Sequence, residues 1–141
     1  MDEDIEFNKV NYNDLNARQK ETYNFQKVSG VLADYGFVTL LLSDDWQGAD
    51  FLAYHNDGET TLKIQLKSRL TFGKKYLGRG LWVAFPHNGH WYLYPHDSTF
   101  KTVSETLGII TDTRSWTDKG LYHFGKLSDK LLNLMEPYRL G

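Results

Sequence analysis

Asp50, Gln65 and Lys67 are a carboxylate, an amide and an ammonium that a single β-hairpin would bring together. Residues 48–55 and 61–68 alternate apolar and polar, and Asp57-Gly58 lies between them, a strong hairpin signal. A two-residue turn at Asp57-Gly58 pairs Asn56 with Glu59 and sets Asp50 directly opposite Gln65. Opposed side chains share a face with Cβ atoms about 4.5–5.5 Å apart, and Lys67, two residues on, joins that face. The other face carries Phe51, Ala53, Leu62, Ile64 and Leu66, a core face. A carboxylate and an amide oxygen can share one hard divalent cation, which prefers oxygen ligands. The ammonium can hold an anionic substrate beside that metal or help to activate a water.

Asp50…Gln65-Leu66-Lys67 resembles the Asp…(Glu/Gln)-x-Lys signature of the PD-(D/E)xK nuclease superfamily, over residues 14–110. The resemblance implies an α/β fold: a restriction-endonuclease-like core of α-β-β-β-α-β type, with a mixed central sheet flanked by helices. It implies phosphodiester hydrolysis that leaves a 5′-phosphate, with Mg²⁺ or Mn²⁺ held by Asp50, Gln65 and the Leu66 carbonyl. Nucleic acid is the implied partner, DNA foremost. Gln65 stands where the family most often has Glu or Asp, so the site holds one negative charge fewer. A catalytically inactive module of this fold, binding nucleic acid or protein, is the alternative, and a small acidic protein of antitoxin or immunity type is a third.

A helix is expected from Asp14 to Tyr35, with Asn13 or Asp14 as cap, Gly36 as stop, and Phe25, Val28, Leu32 and Tyr35 as its apolar stripe. Extending the stripe backwards reaches Glu21. A carboxylate in line with a core stripe is costly unless paired or metal-bound, so Glu21 is either a third ligand or a stripe-edge residue reaching solvent. Strands are expected at 37–42, 81–85 and 91–94, the last two joined across Asn88-Gly89. Short helices follow at 97–107 and at 128–135, the latter capped by Ser128 and ended by Pro137. Residues 71–80 are too short and glycine-rich for the second core helix, and residues 111–125 have no clear pattern.

Charge is uneven along the chain. Residues 1–59 hold 12 acids and 4 Lys/Arg, residues 60–96 hold no acid and six bases, and residues 97–141 balance. The basic stretch begins beside the Asp50 hairpin. Lys63, Arg69, Lys74, Lys75 and Arg79 are therefore candidate phosphate contacts, with residues 71–80 as an exposed, flexible loop. An ordinary solvated surface would have the same composition.

Other clusters read more plainly. His87-x-x-His90 with His96 lacks the converging ligands of a zinc site and reads as turn histidines. Asp44-Asp45 reads as a solvated loop, close enough to Asp50 in sequence for one carboxylate to support it. Trp82 and Phe85 read as core, and alternation sends either Trp91 or Tyr92 away from it.

At 141 residues the chain is one domain of ordinary size, 1–141, with 1–11 expected as a flexible N-terminal arm. It has no cysteine, no apolar run near the ~20 residues of a membrane span, and a Met1-Asp2-Glu3-Asp4 start unlike a signal peptide. A cytoplasmic setting is the default expectation. A lone compact nuclease domain would gain from forming a homodimer, with the 82–94 hairpin or the C-terminal helix as interface.

Overall fold

A computed structural model of the chain describes residues 4–141; residues 1–3 of the expected arm lie outside the described residues. Residues 4–11 carry no regular element. A 3₁₀ turn at Tyr12–Asp14 leads into α1 (Ala17–Ala33). The cap is Asn16, not Asn13 or Asp14. Its Oδ1 accepts from the Gln19 N–H while Gln19 Oε1 accepts from the Asn16 N–H, a reciprocal capping box. Gly36, at φ 84°, stops the helix; a Cβ there would also lie 2.8 Å from His55 Nε2.

Six strands form the main sheet in the order β1 (Phe37–Trp46), β2 (Ala49–His55), β3 (Thr61–Leu66), β5 (Leu81–His87), β6 (His90–Pro95), β8 (Arg139–Leu140). β3 and β5 run parallel and the other neighbours antiparallel, so the sheet is mixed. A two-stranded ribbon pairs β4 (Thr71–Gly73) with β7 (Leu121–His123). α2 (His96–Leu107) and α3 (Asp129–Met135) are the other α-helices among the described residues, and a π-helical turn spans Ser115–Lys119. The fold is thus α/β, a mixed sheet flanked by helices, consistent with the restriction-endonuclease-like core expected. It departs from that pattern in the β3-to-β5 crossover, which holds β4 and a 3₁₀ turn in place of the pattern's second α-helix, as the short, glycine-rich residues 71–80 lead one to expect.

Both faces of the sheet are covered over β5 and β6. Phe51, Ala53, Ile64, Ala84, Trp91 and Leu93 pack with Val28 and Leu32 of α1. Val83, Phe85, Tyr92 and Tyr94 pack on the opposite side with Val103 of α2 and Leu131 and Met135 of α3. Trp91 and Tyr92 do point to opposite faces, yet both are buried, because each face has its own helices. The aromatic hairpin and α3 therefore spend their apolar side chains on the protein's own cores. Exposed apolar residues gather instead on β1 and β2, at Val38, Leu40 and Tyr54. Among the described residues no helix is long and apolar enough to cross a membrane.

Candidate active site

The hairpin register is the expected one. Phe51 pairs with Ile64, Leu52 with Lys63, Ala53 with Leu62 and Tyr54 with Thr61. Asp50 is one step beyond the Phe51–Ile64 pair, in line with Gln65. The turn differs: it spans four residues, 56–59, with only Gly58 at positive φ. The Asp57 carboxylate accepts from the Glu59 and Thr60 amides and the Thr60 hydroxyl, which lowers its pKa to about 2. That side-chain-capped turn displaces the tight one. Lengthening the loop equally on both sides leaves the register unchanged.

Asp50 is half-buried, and its Oδ2 accepts from the Leu66 N–H at 2.8 Å. Burial pushes its pKa from 3.8 up to about 6, against the pull of that amide; a hydrogen bond to Asp45 and the charges of Asp45 and Glu21 push the same way. Gln65 is 7% exposed, and its Oε1 is buried without a hydrogen-bond partner. Such an orphan costs roughly 1–3 kcal/mol. Lys67 follows β3; its N–H donates to the Ala84 carbonyl, and its ammonium sits 5.6 Å from the Tyr76 ring centroid. Glu21 is exposed on α1, where it lines a cavity of about 500 Å³ with Arg18, Asp44, Asp45, Asp50 and Leu66.

Two residues stand differently from the sequence reading: Asp45, read as a solvated loop carboxylate within reach of Asp50, and Tyr76, which that reading does not single out. Asp45 lies in a strand, since β1 runs four residues past its expected end at Leu42. Leu41 pairs with Phe51 and Trp46 with Ala49, so Leu42, Ser43, Asp44 and Asp45 face the single residue Asp50. A β-bulge of this kind re-aims side chains, and here it delivers Asp45 to Asp50. The chain reverses through Gln47 and Gly48, at φ 53° and 87°, the two positive φ values of a tight hairpin turn. The sequence signal was Gly48 between two apolar runs. Tyr76 is the second residue. It is 2% exposed, carries the Lys67 and Lys75 ammoniums over its ring, and feels the charges of both Asp50 and Asp45.

Residues 71–80 are not the flexible connector expected. Thr71, Phe72, Gly73 and Tyr76 are buried. The Thr71 N–H donates to the Tyr94 hydroxyl, which donates in turn to the Thr71 carbonyl. The Gly73 N–H donates to His96 Nε2, and the Gly78 N–H to Asp97 Oδ2. Partners 19–52 residues downstream hold the segment, which local glycine content does not reveal. His96 is fully buried; burial lowers its pKa, and as a neutral ring it accepts from Gly73 and donates from Nδ1 to Asp97.

The basic residues divide. Lys63 donates to Gln47 Oε1 and to the Arg79 carbonyl, and Arg79 donates to the Lys75 carbonyl, so these two tie loops together. Arg69, Lys74 and Lys75 are exposed. His87 and His90 pair across the Asn88-Gly89 turn, and no cluster with His96 forms among the described residues. Nor, among those residues, are any three His, Cys, Asp or Glu side chains grouped as a metal ion would need. Any hard-cation site here needs the Gln65 amide or a backbone carbonyl as well. Chemically, the arrangement offers clustered oxygen donors next to two ammoniums.

No protein-family model matches the chain, and no curated protein sequence does. Among solved structures it is similar to that of Archaeoglobus fulgidus Hjc, a Holliday junction resolvase from an archaeal hyperthermophile, at TM-score 0.39 and 18% identity. The match covers 50% of this chain and 74% of that one.

Proposed function

We propose that the chain is a metal-dependent nuclease hydrolysing phosphodiester bonds, in DNA foremost. The observation that carries this reading is the Asp50–Leu66 hydrogen bond, which fixes a carboxylate across the hairpin from the buried, partnerless Gln65 Oε1. The donor set fits Mg²⁺ or Mn²⁺: all oxygen, with one amide oxygen short of a partner and an Asp50 carboxyl crowded by other acids. Asp50, Gln65 Oε1 and the Leu66 carbonyl would hold the ion, with Glu21, which lines the cavity beside Asp50, as a candidate further ligand. When bound, it would polarise the scissile phosphate and lower the pKa of a bound water. Lys67 holds its ammonium toward the phosphoryl group and stabilises the charge that develops there. Tyr76 keeps Lys67 from collapsing onto Asp50 by offering its ring face. Arg69, Lys74 and Lys75 contact backbone phosphates, with Lys63 and Arg79 bracing the loops beside them.

The test is cleavage of linear, circular, single-stranded and branched DNA and of RNA, with Mg²⁺ or Mn²⁺, beside Asp50→Ala and Lys67→Ala. Metal-dependent cleavage lost in both variants is expected. No cleavage of any substrate would leave the second reading, an inactive binding module of the same fold, which Gln65 in place of an acid favours. A homodimer would set two such sites against two strands. The exposed Val38, Leu40 and Tyr54 form the face such pairing would bury, and a monomer at micromolar concentration in sedimentation removes it.

A further inference from the structure

We propose that the cavity between the Lys74–Tyr76 turn and the π-helical turn Ser115–Lys119 is a phosphate seat, in which Lys74 and Lys119 together grip one backbone phosphate of a nucleic-acid strand. The inference rests on the nucleic-acid partner proposed above, not on cleavage, and would hold equally for an inactive binding module. It adds Lys119 and Thr117, which lie outside both the Asp50…Gln65-Leu66-Lys67 pattern and the basic stretch 60–96.

The cavity has a volume of about 380 Å³ and is lined by Lys74, Lys75, Thr117, Asp118, Lys119 and Gly120. Three ammoniums and one carboxylate leave it a net of two positive charges. Among the described residues no carboxylate forms an ion pair with any of the three lysines. Asp118 keeps instead to the Thr117 hydroxyl, 3.4 Å away. Like charges gathered without a counter-ion repel one another, and a bound anion relieves that repulsion. Lys74 is held in place. Its N–H donates to the Gly120 carbonyl at 2.8 Å, and its stem runs past Gly120, where a Cβ would come within 3.5 Å of Lys74 Cβ and Cδ. Its ammonium stands 5.7 Å from the centroid of Trp116, a buried ring stacked on Phe100. The ordering that binding demands of a lysine is therefore partly done in advance. Lys119 ends the π-helical turn, a rare form that is frequent at functional sites. Consecutive Lys74 and Lys75 diverge: the Lys75 ammonium stands over Tyr76 at 5.2 Å, and the Lys67 ammonium over the same ring at 5.6 Å. The seat thus meets the candidate active site at one side chain, and a strand anchored by Lys74 and Lys119 presents its next phosphates to Lys75 and Lys67.

The experiment is fluorescence anisotropy of fluorescein-labelled single-stranded and duplex DNA with the full chain, across a salt series and in EDTA so that no strand is cut. Wild type is compared with Lys119→Gln, Lys119→Arg, Lys74→Gln/Lys119→Gln and Lys130→Gln, the last an exposed lysine of α3 outside the cavity lining. Lys119→Gln should weaken binding by about tenfold, the scale of one charge-assisted hydrogen bond. Lys119→Arg should recover most of that loss, and Lys130→Gln should bind as wild type does. Lys74→Gln/Lys119→Gln should reduce the slope of log affinity against log salt by about 1, the value for one phosphate shared by two lysines. A fall of about 2 would give each lysine its own phosphate and overturn the shared seat. Wild-type affinity in Lys119→Gln overturns the inference and leaves the nuclease reading standing. If that variant also loses a saturable thermal shift that inorganic phosphate gives the wild type, the cavity is a site for a free anion and the strand assignment is overturned. Wild type that binds no DNA overturns both.

Discussion

The Leu66 N–H donates to Asp50 Oδ2 across 2.8 Å, so the residue between Gln65 and Lys67 in sequence also fixes the carboxylate they face. One short strand thereby aims three groups: the amide and the ammonium through its side chains, and the carboxylate through its backbone. Moving β3 by one residue would dismantle all three at once.

Asp50 makes the metal-free protein less stable as pH rises. Its carboxyl holds a proton up to about pH 6 when folded but only to about 3.8 when unfolded, chiefly because burial disfavours the charge. Below 3.8 both states are protonated; between 3.8 and 6 the folded state binds more protons, so stability falls across that window and levels above it. Asp50→Asn should therefore melt a few degrees above wild type at pH 7.5 in a chelator, with the gap closing at pH 4. Melting curves at the two pH values decide it, and a lower melting point for the variant at pH 7.5 contradicts the effect of burial.

Lys67→Met should separate binding from chemistry. Its ammonium rests over the Tyr76 ring, which a metal held by Asp50 and Gln65 does not require. Cleavage should fall by about a hundredfold or more, the scale for removing a group that stabilises developing charge, while Mn²⁺ affinity stays. Single-turnover cleavage at saturating protein is the measurement, and wild-type rates would remove Lys67 from the reaction.

Tyr94→Phe should cost about 1–3 kcal/mol by orphaning buried partners. The Tyr94 hydroxyl both accepts from the Thr71 N–H and donates to the Thr71 carbonyl in a fully buried setting. Urea unfolding reports the loss. Amide exchange should quicken at Thr71 and Gly73, since this hydroxyl pins the segment that carries Tyr76.

His96→Leu should destabilise by a similar amount, leaving the Gly73 N–H without its acceptor. The wild type should also lose stability as pH falls below 6.5. The unfolded imidazole takes up a proton there, while the folded ring, its pKa lowered by burial, stays neutral to lower pH. The variant should lack that part of the pH dependence, which denaturation at pH 7.5 and 5.5 would reveal.

Lys74→Gln/Lys75→Gln should weaken nucleic-acid binding alike across sequences. It should reduce the slope of log affinity against log salt by about 2, near one for each phosphate no longer neutralised. Lys63→Gln should change that slope less, because Lys63 is engaged by Gln47 and the Arg79 carbonyl. Anisotropy titrations across a salt series distinguish the two.

Much of the site follows from short-range pattern. Alternation with period two places Phe51, Ala53 and Ile64 in the core and sets Asp50 across from Gln65, and the ladder has that register although the turn does not have the expected form. The α1 stripe at Val28 and Leu32, the Gly36 stop, the Asn88-Gly89 turn and the Ser128 cap are equally local. Each depends on neighbours within a few residues, so spacing and residue type suffice to determine it.

Tertiary packing decided the rest. Asp45 reaches Asp50 because β1 continues through a bulge that answers to β2, and alternation does not encode how many extra residues a bulge takes up. Tyr76 lies beneath Lys67 because β7, Tyr94 and His96 hold a segment whose own glycines argue for a loose connector. Gln65 becomes a buried, unsatisfied acceptor when β5 pairs alongside β3 and sets Val83 beside it. These are contacts between residues distant in sequence, formed by closing long loops for the sake of buried surface, and no window of sequence contains both partners.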